Sequence, residues 1–363
     1  MARIILDGVR KVYNGSVVAV EEMNIEIPDG IIVSLLGPSG CGKTTTMRII
    51  AGFESTDKGT VHIEDKDFTY TTPNKRNMSM VFQFPVVYDT LTIFENIAIP
   101  LRNAGVEATE IESKVQNTLD SFGIKKTLWD KKASKLSISD RQRLSLAHAF
   151  AVERNLYILD EPFSNIDPKS RIILSRFIRQ FQTKHKHTII FVTHSQSEAL
   201  TLSDRIAVMR DGKVLQYDTP ENIYSKPSNT FVGWFMGNPG MQFIKCKTLG
   251  KNGQIILVAN GLEIAAVPEK YIEKVKEKQD IIIGIRPENV KIVKNNKDFN
   301  LTGTCMHSEP VGSRMLLHVK LNNEHSITVK AAAAEAVIKG VDLAIHFPEE
   351  NILLFDAATE EAL

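Results

Sequence analysis

The segment from Gly37 to Thr44 constrains the fold of this chain most strongly. Its residues, GPSGCGKT, fit the pattern GxxxxGK[ST]. The apolar run IIVSLL (31–36) before it is typical of a buried strand, and TTTMRIIAGF (44–53) after it has helical character. Glycines let backbone N–H groups turn toward a phosphate, and the N-terminus of a helix attracts the same anion. The sequence therefore predicts a phosphate-binding loop between a central strand and a helix.

The chemistry of this loop predicts a nucleoside triphosphate with Mg²⁺ as its ligand. We expect Lys43 to reach the β- and γ-phosphates and Thr44 to ligate the metal ion. The predicted phosphate-binding residues are Gly37, Pro38, Ser39, Gly40, Cys41, Gly42, Lys43, Thr44 and Thr45.

A second chemical motif lies at the end of the apolar run LYILD (156–160), where Asp160 is followed by Glu161. Asp160 can hold Mg²⁺ directly or through water, and Glu161 can polarise an attacking water as a general base. A strand that ends in two carboxylates is a weak signal alone. Together with the phosphate-binding loop, it predicts hydrolysis of the nucleotide.

Strand-like and helix-like segments alternate up to about residue 235. Residues 92–120, with Pro100 and Gly105 as interruptions, and residues 139–155 have helical character, whereas 156–160 and 187–194 are apolar runs typical of strands. This alternation predicts a mostly parallel α/β sheet. Beyond it come short β-like runs with frequent turns, which favour a small barrel. We therefore predict a nucleotide-binding domain over 1–235 and a β-rich domain over 236–363.

Composition narrows the classes of function. The chain has 363 residues, which suggests two domains, and a formal net charge of +1, which gives no indication of nucleic-acid binding. Its cysteines, Cys41, Cys246 and Cys305, lack CxxC spacing, so we expect a reducing compartment without disulfides or cysteine-bound zinc. There is no apolar run of about 18 residues or more, and Asp7 interrupts the N-terminus before a signal peptide could form. Any membrane role is expected to come through a partner.

Several further motifs occur in a fixed order along the chain. They are LLGPSGCGKTTTMRIIAGFE (35–54), MVFQ (80–83), ENIAIPL (95–101), LDEPFSNIDPKSR (159–171), VTH (192–194) and GIRPENV (284–290). In order and spacing they resemble the ATP-binding-cassette ATPases, specifically the subunits that power carbohydrate importers of the maltose and glycerol-3-phosphate type. The resemblance covers essentially the whole chain. It implies an α/β P-loop nucleotide-binding domain with a helical subdomain at about 85–152, followed by a β-rich regulatory domain that resembles the oligonucleotide fold.

The resemblance implies roles for further residues around bound ATP. Tyr13, in the VYNG segment, matches the aromatic residue that stacks on adenine, which suits a flat π-face. Gln83 matches the glutamine that ligates Mg²⁺, senses the γ-phosphate and connects to the membrane-subunit contact. His194 matches the switch histidine that holds the γ-phosphate and positions water, so it joins Glu161 as a predicted catalytic residue. The implied Mg²⁺ ligands are Thr44, Gln83 and Asp160.

The chain departs from the family at the signature, Leu-Ser-Gly-Gly-Gln, which here is LSISD (136–140). Ser137 is kept as a hydroxyl donor to a γ-phosphate, but Ile138 and Ser139 replace both glycines, and Asp140 adds a negative charge. In this family two cassettes pair head to tail, and each ATP lies between the P-loop of one and the signature of the other. The altered signature therefore serves the ATP of the partner. Two hypotheses stay open, a heterodimer or a homodimer with two equally weakened sites.

The predicted function is ATP hydrolysis that powers uptake of a sugar, polyol or glycerol-phosphate-like solute. The implied partners are two integral membrane permease subunits, a second ATPase subunit and, indirectly, an extracytoplasmic solute-binding protein. The implied location is peripheral, on the cytoplasmic face of the cell membrane, with FPVVYDTLT (84–92) facing the membrane subunits. One alternative is a weakly catalytic ATP-binding scaffold paired with a second, active ATPase. The other is a soluble cassette protein that acts on ribosomes or DNA.

Two further segments favour ordinary structure. The sequence KHKH (184–187) could suggest a metal site, but we interpret it as a solvated helix end. The alanine-rich run AAAAEAV (331–337) is most simply a helix.

Overall fold

The computed structural model describes residues 2–251, 253–276, 278–293, 301–322, 325–332 and 339–363. They form two compact units, Met1–Pro220 and Glu221–Leu363. The predicted domain boundary between residues 235 and 236 stays a prediction. Within the described ranges, none of the helices combines the length and the hydrophobicity needed to cross a bilayer.

The first unit alternates strands with helices, as its sequence predicts. Its strands are β1 (Ile4–Tyr13), β2 (Val17–Ile27), β3 (Ile32–Leu36), β4 (Lys58–Ile63), β5 (Lys66–Asp67), β6 (Met78–Val81), β7 (Leu156–Asp160), β8 (Thr188–Thr193), β9 (Arg205–Arg210) and β10 (Lys213–Asp218). Its helices are α1 (Lys43–Ala51), α2 (Ile93–Asn103), α3 (Ala108–Ser121), α4 (Ile138–Phe150), α5 (Pro168–His185) and α6 (Gln196–Leu202).

A six-stranded sheet with the order β10-β9-β3-β8-β7-β6 forms the centre of this unit. Strand β3 pairs in parallel with β8 and β9, β7 pairs in parallel with β6 and β8, and the edge strand β10 is antiparallel to β9. Every residue of β3, β7 and β8 is buried, as expected for parallel strands covered on both faces. The carboxyl ends of these neighbouring strands share one edge, which is where open α/β sheets bind ligands.

A second, antiparallel sheet has the order β2-β1-β4-β5. Its apolar side chains share one core with α1 and with residues of the central sheet. Strand β2 passes beside the phosphate-binding loop, so this sheet supports the loop from outside the central sheet.

The residues between β6 and β7 form the helical region α2 to α4. Thr92 caps α2 by accepting a hydrogen bond from the N–H of Glu95 (3.1 Å), and Ser137 caps α4 in the same way. The helical segment predicted at 92–120 is two helices, because the chain turns at Gly105, where φ is 78°. Helices α2, α3 and α4 share a core with α5, β7 and β8, so the helical region packs directly on the central sheet.

The second unit contains the predicted β-rich domain. Elements in this part of the chain are α7 (Pro220–Ser225), α8 (Thr230–Phe235), β11 (Gln242–Lys251), β12 (Gln254–Ala259), β13 (Leu262–Ala266), α9 (Ile272–Val275), β14 (Asp280–Ile285), β15 (Lys291–Val293), β16 (Leu301–Val311), β17 (Arg314–Leu321), β18 (Ser326–Ala332), β19 (Asp342–His346) and β20 (Leu353–Asp356). The strands form two antiparallel five-stranded sheets, β13-β12-β11-β14-β20 and β15-β19-β16-β17-β18, around one apolar core.

The alanine-rich run 331–337 does not begin as the predicted helix. Residues 331 and 332 end β18, where they pair with Met315 and Arg314 of β17. Cross-strand pairing therefore overrides the helical propensity of alanine at these two positions. The rest of the run lies outside the described residues.

Candidate functional site

Tight packing shapes the phosphate-binding loop between β3 and α1. Gly42 adopts φ 99°, and a Cβ at this position would lie 2.2 Å from the carbonyl oxygen of Ala19 in β2. A Cβ on Gly37 would lie 2.3 Å from the carbonyl oxygen of Met209 in β9. The surrounding backbone therefore requires glycine at both positions. Helix α1 begins at Lys43, directly after the loop.

The remaining predicted phosphate-binding residues lie at or near the surface. Those at the tip of the loop are exposed, and those on the first turn of α1 are partly exposed. They are Pro38, Ser39 and Gly40 at the tip, and Thr44 and Thr45 on the helix.

Lys43 folds back over the loop and is 7% exposed. Its Nζ donates hydrogen bonds to the carbonyl oxygens of Gly37 and Pro38, both 2.8 Å away. The Cys41 thiol, 3.7 Å away, is a third acceptor. Among the described residues, all the hydrogen-bond acceptors of this ammonium are uncharged. Burial raises the pKa of Cys41, which keeps its sulfur neutral. The loop therefore leaves the positive charge of Lys43 available to a phosphate.

Asp160 ends the buried strand β7 and is itself 7% exposed. Burial, with a contribution from the neighbouring Glu161, raises the pKa of Asp160 to about 6, although the charges of Arg48 and Lys43 lower it. A divalent cation at this carboxylate would offset the cost of burying its charge. The environment of Asp160 therefore fits a Mg²⁺ ligand.

The raised pKa predicts that the charge of Asp160 destabilises the fold at neutral pH. The carboxyl has a pKa of about 6 in the folded chain and an ordinary value of 3.8. Between these values the folded state binds more protons than the unfolded state, so stability falls as the pH rises. We expect Asp160→Asn to raise the free energy of unfolding by up to about 3 kcal/mol near pH 7.5 and to change it little near pH 4.

Urea unfolding of the nucleotide-free chain at both pH values measures this difference. Asp120→Asn is the matched control, because Asp120 is exposed on α3. Equal effects of Asp160→Asn at the two pH values would contradict the expectation, and so would a loss of stability near pH 7.5.

Glu161 lies at the centre of a cluster of predicted site residues. It follows Asp160 with φ 44°, a left-handed conformation that residues other than glycine rarely adopt, and its N–H donates to the carbonyl oxygen of Val192 (2.9 Å). Its Oε1 lies 3.0 Å from Nδ1 of His194, and its Oε2 accepts a hydrogen bond from Nε2 of Gln83 (3.3 Å). Three predicted side chains thus meet where β7 and β8 end.

Residues with no role predicted from the sequence hold the end of β8. Thr193 donates from Oγ1 to Oε2 of Glu198 (2.7 Å), and Glu198 pairs with Arg171 at 3.3 Å. Ser195 caps α6 by accepting from the N–H of Glu198 (3.4 Å). The Ser-x-x-Glu spacing of a capping box is the sequence signal for this arrangement. It fixes the backbone beside His194, whose side chain is 64% exposed.

Tyr13 ends β1 and is partly exposed. Its hydroxyl donates to Oε2 of Glu54 (3.1 Å), and Nζ of Lys11 lies 5.4 Å from the centre of its ring. Lys11 also pairs with Glu54 at 2.7 Å. These two charged residues hold the tyrosine in place. No sequence pattern links these two residues, because Lys11 lies on β1 and Glu54 lies in the loop after α1.

Ser137 is the N-cap of α4. Among the described residues, none of its hydrogen bonds reaches the cluster around Glu161. Its Oγ accepts from the N–H of Asp140 (3.1 Å) and lies 2.8 Å from Oδ2 of the same residue, to which it donates. Nη1 of Arg143 lies 3.6 Å from the other carboxylate oxygen. Ile138, the next residue, is 55% exposed. The hydroxyl proton of Ser137 is therefore engaged within its own chain.

Known proteins resemble the chain over both units. The ABC transporter family matches residues 20–164, the MalK OB fold domain matches 237–290, and the TOBE domain matches 283–355. The oligosaccharides import ATP-binding protein MsmX of Bacillus subtilis is 33% identical in sequence to this chain, and the match covers 99% of each protein. The sulfoquinovosyl glycerol transport ATP-binding protein SmoE of Agrobacterium fabrum is 34% identical, over 100% of both chains.

A solved structure shares the fold of the nucleotide-binding part. It is a dimer of the ATP-binding cassette MJ0796 in a post-hydrolysis state bound to ADP and Pi. The two structures have a TM-score of 0.55 and 24% sequence identity, and the match covers 60% of this chain and 98% of the MJ0796 chain. The predicted fold class, a P-loop α/β domain followed by a β-rich regulatory domain, is confirmed. The chain belongs to the ATP-binding-cassette transporter ATPases and is an ATP-binding subunit of the maltose-type importer family.

Proposed function

We propose that this chain hydrolyses ATP to power uptake of a sugar, polyol or glycerol-phosphate-like solute through separate membrane subunits. The observation that carries the proposal is the meeting of Gln83, Glu161 and His194 where β7 and β8 end. Two full-length relatives are named for oligosaccharide import and for sulfoquinovosyl glycerol transport, which supports a carbohydrate-like solute.

ATP would bind with its phosphates in the loop 37–42 and its adenine on the ring of Tyr13. Phosphate oxygens would replace the two loop carbonyls that now accept from Lys43, because a charged acceptor forms the stronger hydrogen bond. Mg²⁺, when bound, would neutralise part of the phosphate charge. Its proposed protein ligands are Thr44, Gln83 and Asp160.

Glu161 is the proposed general base for the attacking water. Its side chain is 19% exposed, and its two carboxylate oxygens contact Gln83 and His194. When Nδ1 of a neutral His194 donates to Glu161, Nε2 can only accept a hydrogen bond. His194 must therefore be protonated, or turn away from Glu161, to donate to the γ-phosphate. Lys43 and His194 would then stabilise the charge of the transferred group.

An exposed apolar surface follows Gln83 and suits a contact with membrane subunits. Phe84, Val86 and Tyr88 are 75%, 61% and 51% exposed. Apolar side chains that cluster on a surface commonly mark an interaction site. We propose that this surface docks the two integral membrane permease subunits, so that the chain lies peripherally on the cytoplasmic face of the membrane. An extracytoplasmic solute-binding protein would act on it only through those subunits.

We infer that the second ATPase subunit is a different chain with an intact signature. The Ser137 hydroxyl already donates to Asp140, whose carboxylate would also repel the γ-phosphate of the partner's ATP. The side chains of Ile138 and Ser139 oppose the close approach that two glycines allow. The complex would then contain one strong site, at this chain's own P-loop, and one weak site. ATP turnover that is lost when Glu161 is replaced would distinguish this arrangement from a weakly catalytic ATP-binding scaffold.

Restoring the signature is expected to let the chain dimerise with itself. The Glu161→Gln chain, which should retain ATP, is expected to elute as a monomer from size-exclusion chromatography in Mg²⁺-ATP. Adding Ile138→Gly, Ser139→Gly and Asp140→Gln should strengthen dimerisation about tenfold or more, because the γ-phosphate gains hydrogen bonds. Both chains run in ADP serve as the control. Dimers of the Glu161→Gln chain alone in ATP would favour the homodimer instead.

Solute uptake in cells tests the proposed transport function. A strain that carries Glu161→Gln is compared with the parent strain for uptake of labelled oligosaccharides, polyols and glycerol phosphates, at matched levels of the chain. We expect uptake of at least one of these solutes to fall to background. Unchanged uptake of every solute in the panel would contradict the proposal.

A further inference from the structure

Two histidines and a glutamate form a cluster at the edge of the central sheet opposite the proposed nucleotide site. His185 ends α5, His187 lies directly before β8, and Glu153 lies in the turn before β7. One ligand atom from each residue lies within 4.8 Å of the other two. Parallel pairing of β7 with β8 brings their amino-terminal ends together, and with them these side chains. The cluster therefore follows from the topology of the sheet and not from one local segment.

The imidazole of His187 has no hydrogen-bond partner among the described residues. Its Nε2 is also shielded from solvent. A buried polar atom without a partner costs free energy and is rare in native folds. A neutral imidazole nitrogen without a partner is a common ligand of divalent metal ions.

Aromatic packing holds both imidazole rings in place. His185 stacks on Phe181 with ring centres 4.8 Å apart, and His187 lies 5.4 Å from the same ring and 5.7 Å from that of Tyr157. The two imidazoles are nearly parallel, with an interplanar angle of 9° and centres 5.6 Å apart. Side chains whose rotamers are fixed by packing lose little conformational entropy when they bind a ligand.

We propose that Glu153, His185 and His187 bind a first-row divalent transition-metal ion, best matched by Zn²⁺. Two imidazoles and one carboxylate form an established Zn²⁺ ligand set, with water in the fourth position. Nδ1 of His185 lies 3.5 Å from Oε1 of Glu153. Neighbouring ligand atoms in a tetrahedral site with bonds of about 2.1 Å are roughly 3.4 Å apart. Imidazole ligands argue against Mg²⁺ and Ca²⁺, which prefer oxygen.

The proposal revises the interpretation of KHKH as a solvated helix end. Both histidines are partly buried, and the third ligand, Glu153, belongs to a turn that the sequence does not connect with them. A bound ion would join the last turn of α5 to the turn before β7. The cluster includes no residue of the proposed hydrolytic site. The metal-site proposal is therefore independent of the proposed transport function.

Isothermal titration of the full, untagged chain with ZnCl₂, after treatment with chelator and buffer exchange, tests the site. We expect saturable binding of one ion per chain and a rise of about 5 °C in the thermal unfolding midpoint at saturation. His187→Ala and His185→Ala should each weaken binding about 100-fold or more, because each removes a ligand. His318→Ala is the matched control, since His318 also lies 3.5 Å from a glutamate, Glu309, and should leave binding unchanged.

Glu153→Gln keeps the test decisive if either histidine variant fails to fold. The Glu153 side chain is 68% exposed, so its replacement should preserve the fold while weakening Zn²⁺ binding about tenfold or more. Replacement of Zn²⁺ by Co²⁺ should give the intense visible absorption of a tetrahedral site, and Glu153→Gln should change that spectrum. The absence of saturable binding by the unaltered chain would overturn the proposal, and so would equal binding by the unaltered chain and by all three ligand variants.

Discussion

Replacing Glu161 with glutamine is expected to slow ATP hydrolysis about 1,000-fold while ATP binding stays within a factor of a few. The carboxylate lies 3.0 Å from Nδ1 of His194 and accepts a hydrogen bond from Gln83, so it is oriented for proton transfer. Glutamine has the same shape but cannot take up a proton at neutral pH. Phosphate release at saturating Mg²⁺-ATP, measured on the complex purified with its native partner subunits, gives the turnover rate, and titration of the chain with a fluorescent ATP analogue measures binding.

Glu112→Gln provides the matched control, because it makes the same chemical change on the exposed face of α3. It should leave both turnover and binding unchanged. Turnover of the Glu161→Gln chain above about a tenth of the normal rate would place the general base elsewhere. Parallel loss of binding and turnover would mean that Glu161 shapes the site and does not act in the chemical step.

Replacing Lys43 with alanine is expected to weaken ATP binding about 100-fold or more and to remove measurable turnover. The ammonium is 7% exposed, and its described acceptors are uncharged, so its charge is held in the loop for the phosphates. Loss of two charge-assisted hydrogen bonds at about 1.5 kcal/mol each corresponds to roughly this factor. Equilibrium binding of ATP and of ADP measures the effect, and circular dichroism checks the fold.

Lys114→Ala is the matched control for this change, since Lys114 is an exposed lysine paired with Glu110 on α3. We expect it to bind ATP normally. Unaltered affinity of the Lys43→Ala chain for ATP would contradict the assignment of the loop as the phosphate site. A fall in affinity for ATP with little change for ADP would assign Lys43 to the γ-phosphate.

The phosphate-binding loop could be predicted from the sequence because its determinants are local. An apolar strand, closely spaced glycines and a helix follow one another without interruption, and the structure places Gly37 and Gly42 against neighbouring backbone where a Cβ would not fit. The meeting of Glu161 with His194 needed one further step, the expectation of a parallel sheet, because such strands end at a common edge.

Other contacts differ in whether a sequence pattern indicates them. The sequence predicts that Ser137 keeps a hydroxyl for a phosphate, yet the structure shows that hydroxyl bonded to Asp140. The S-x-x-D spacing resembles a capping box, so a local signal for this contact exists. The approach of Glu153 to His185 and His187 has no such signal, because it depends on the pairing of β7 with β8.

In the β-rich unit, the sequence predicts the strands but not the order in which they pair. Frequent turns and short apolar runs predict strands, and strands are found. Their order could not be predicted, because partners such as Ile281 in β14 and Asp356 in β20 lie far apart in the chain. Antiparallel strands can pair with any free edge of suitable pattern, and packing of the whole core decides between the possible orders.

Purification of the chain from its native membranes in mild detergent is the most direct test of the proposed transport function. We expect integral membrane proteins to elute with the chain in a fixed ratio, and we expect the ATPase activity of this complex to be lost in the Glu161→Gln variant. Elution of the chain without any integral membrane protein, while it hydrolyses ATP at its full rate, would contradict the proposed function.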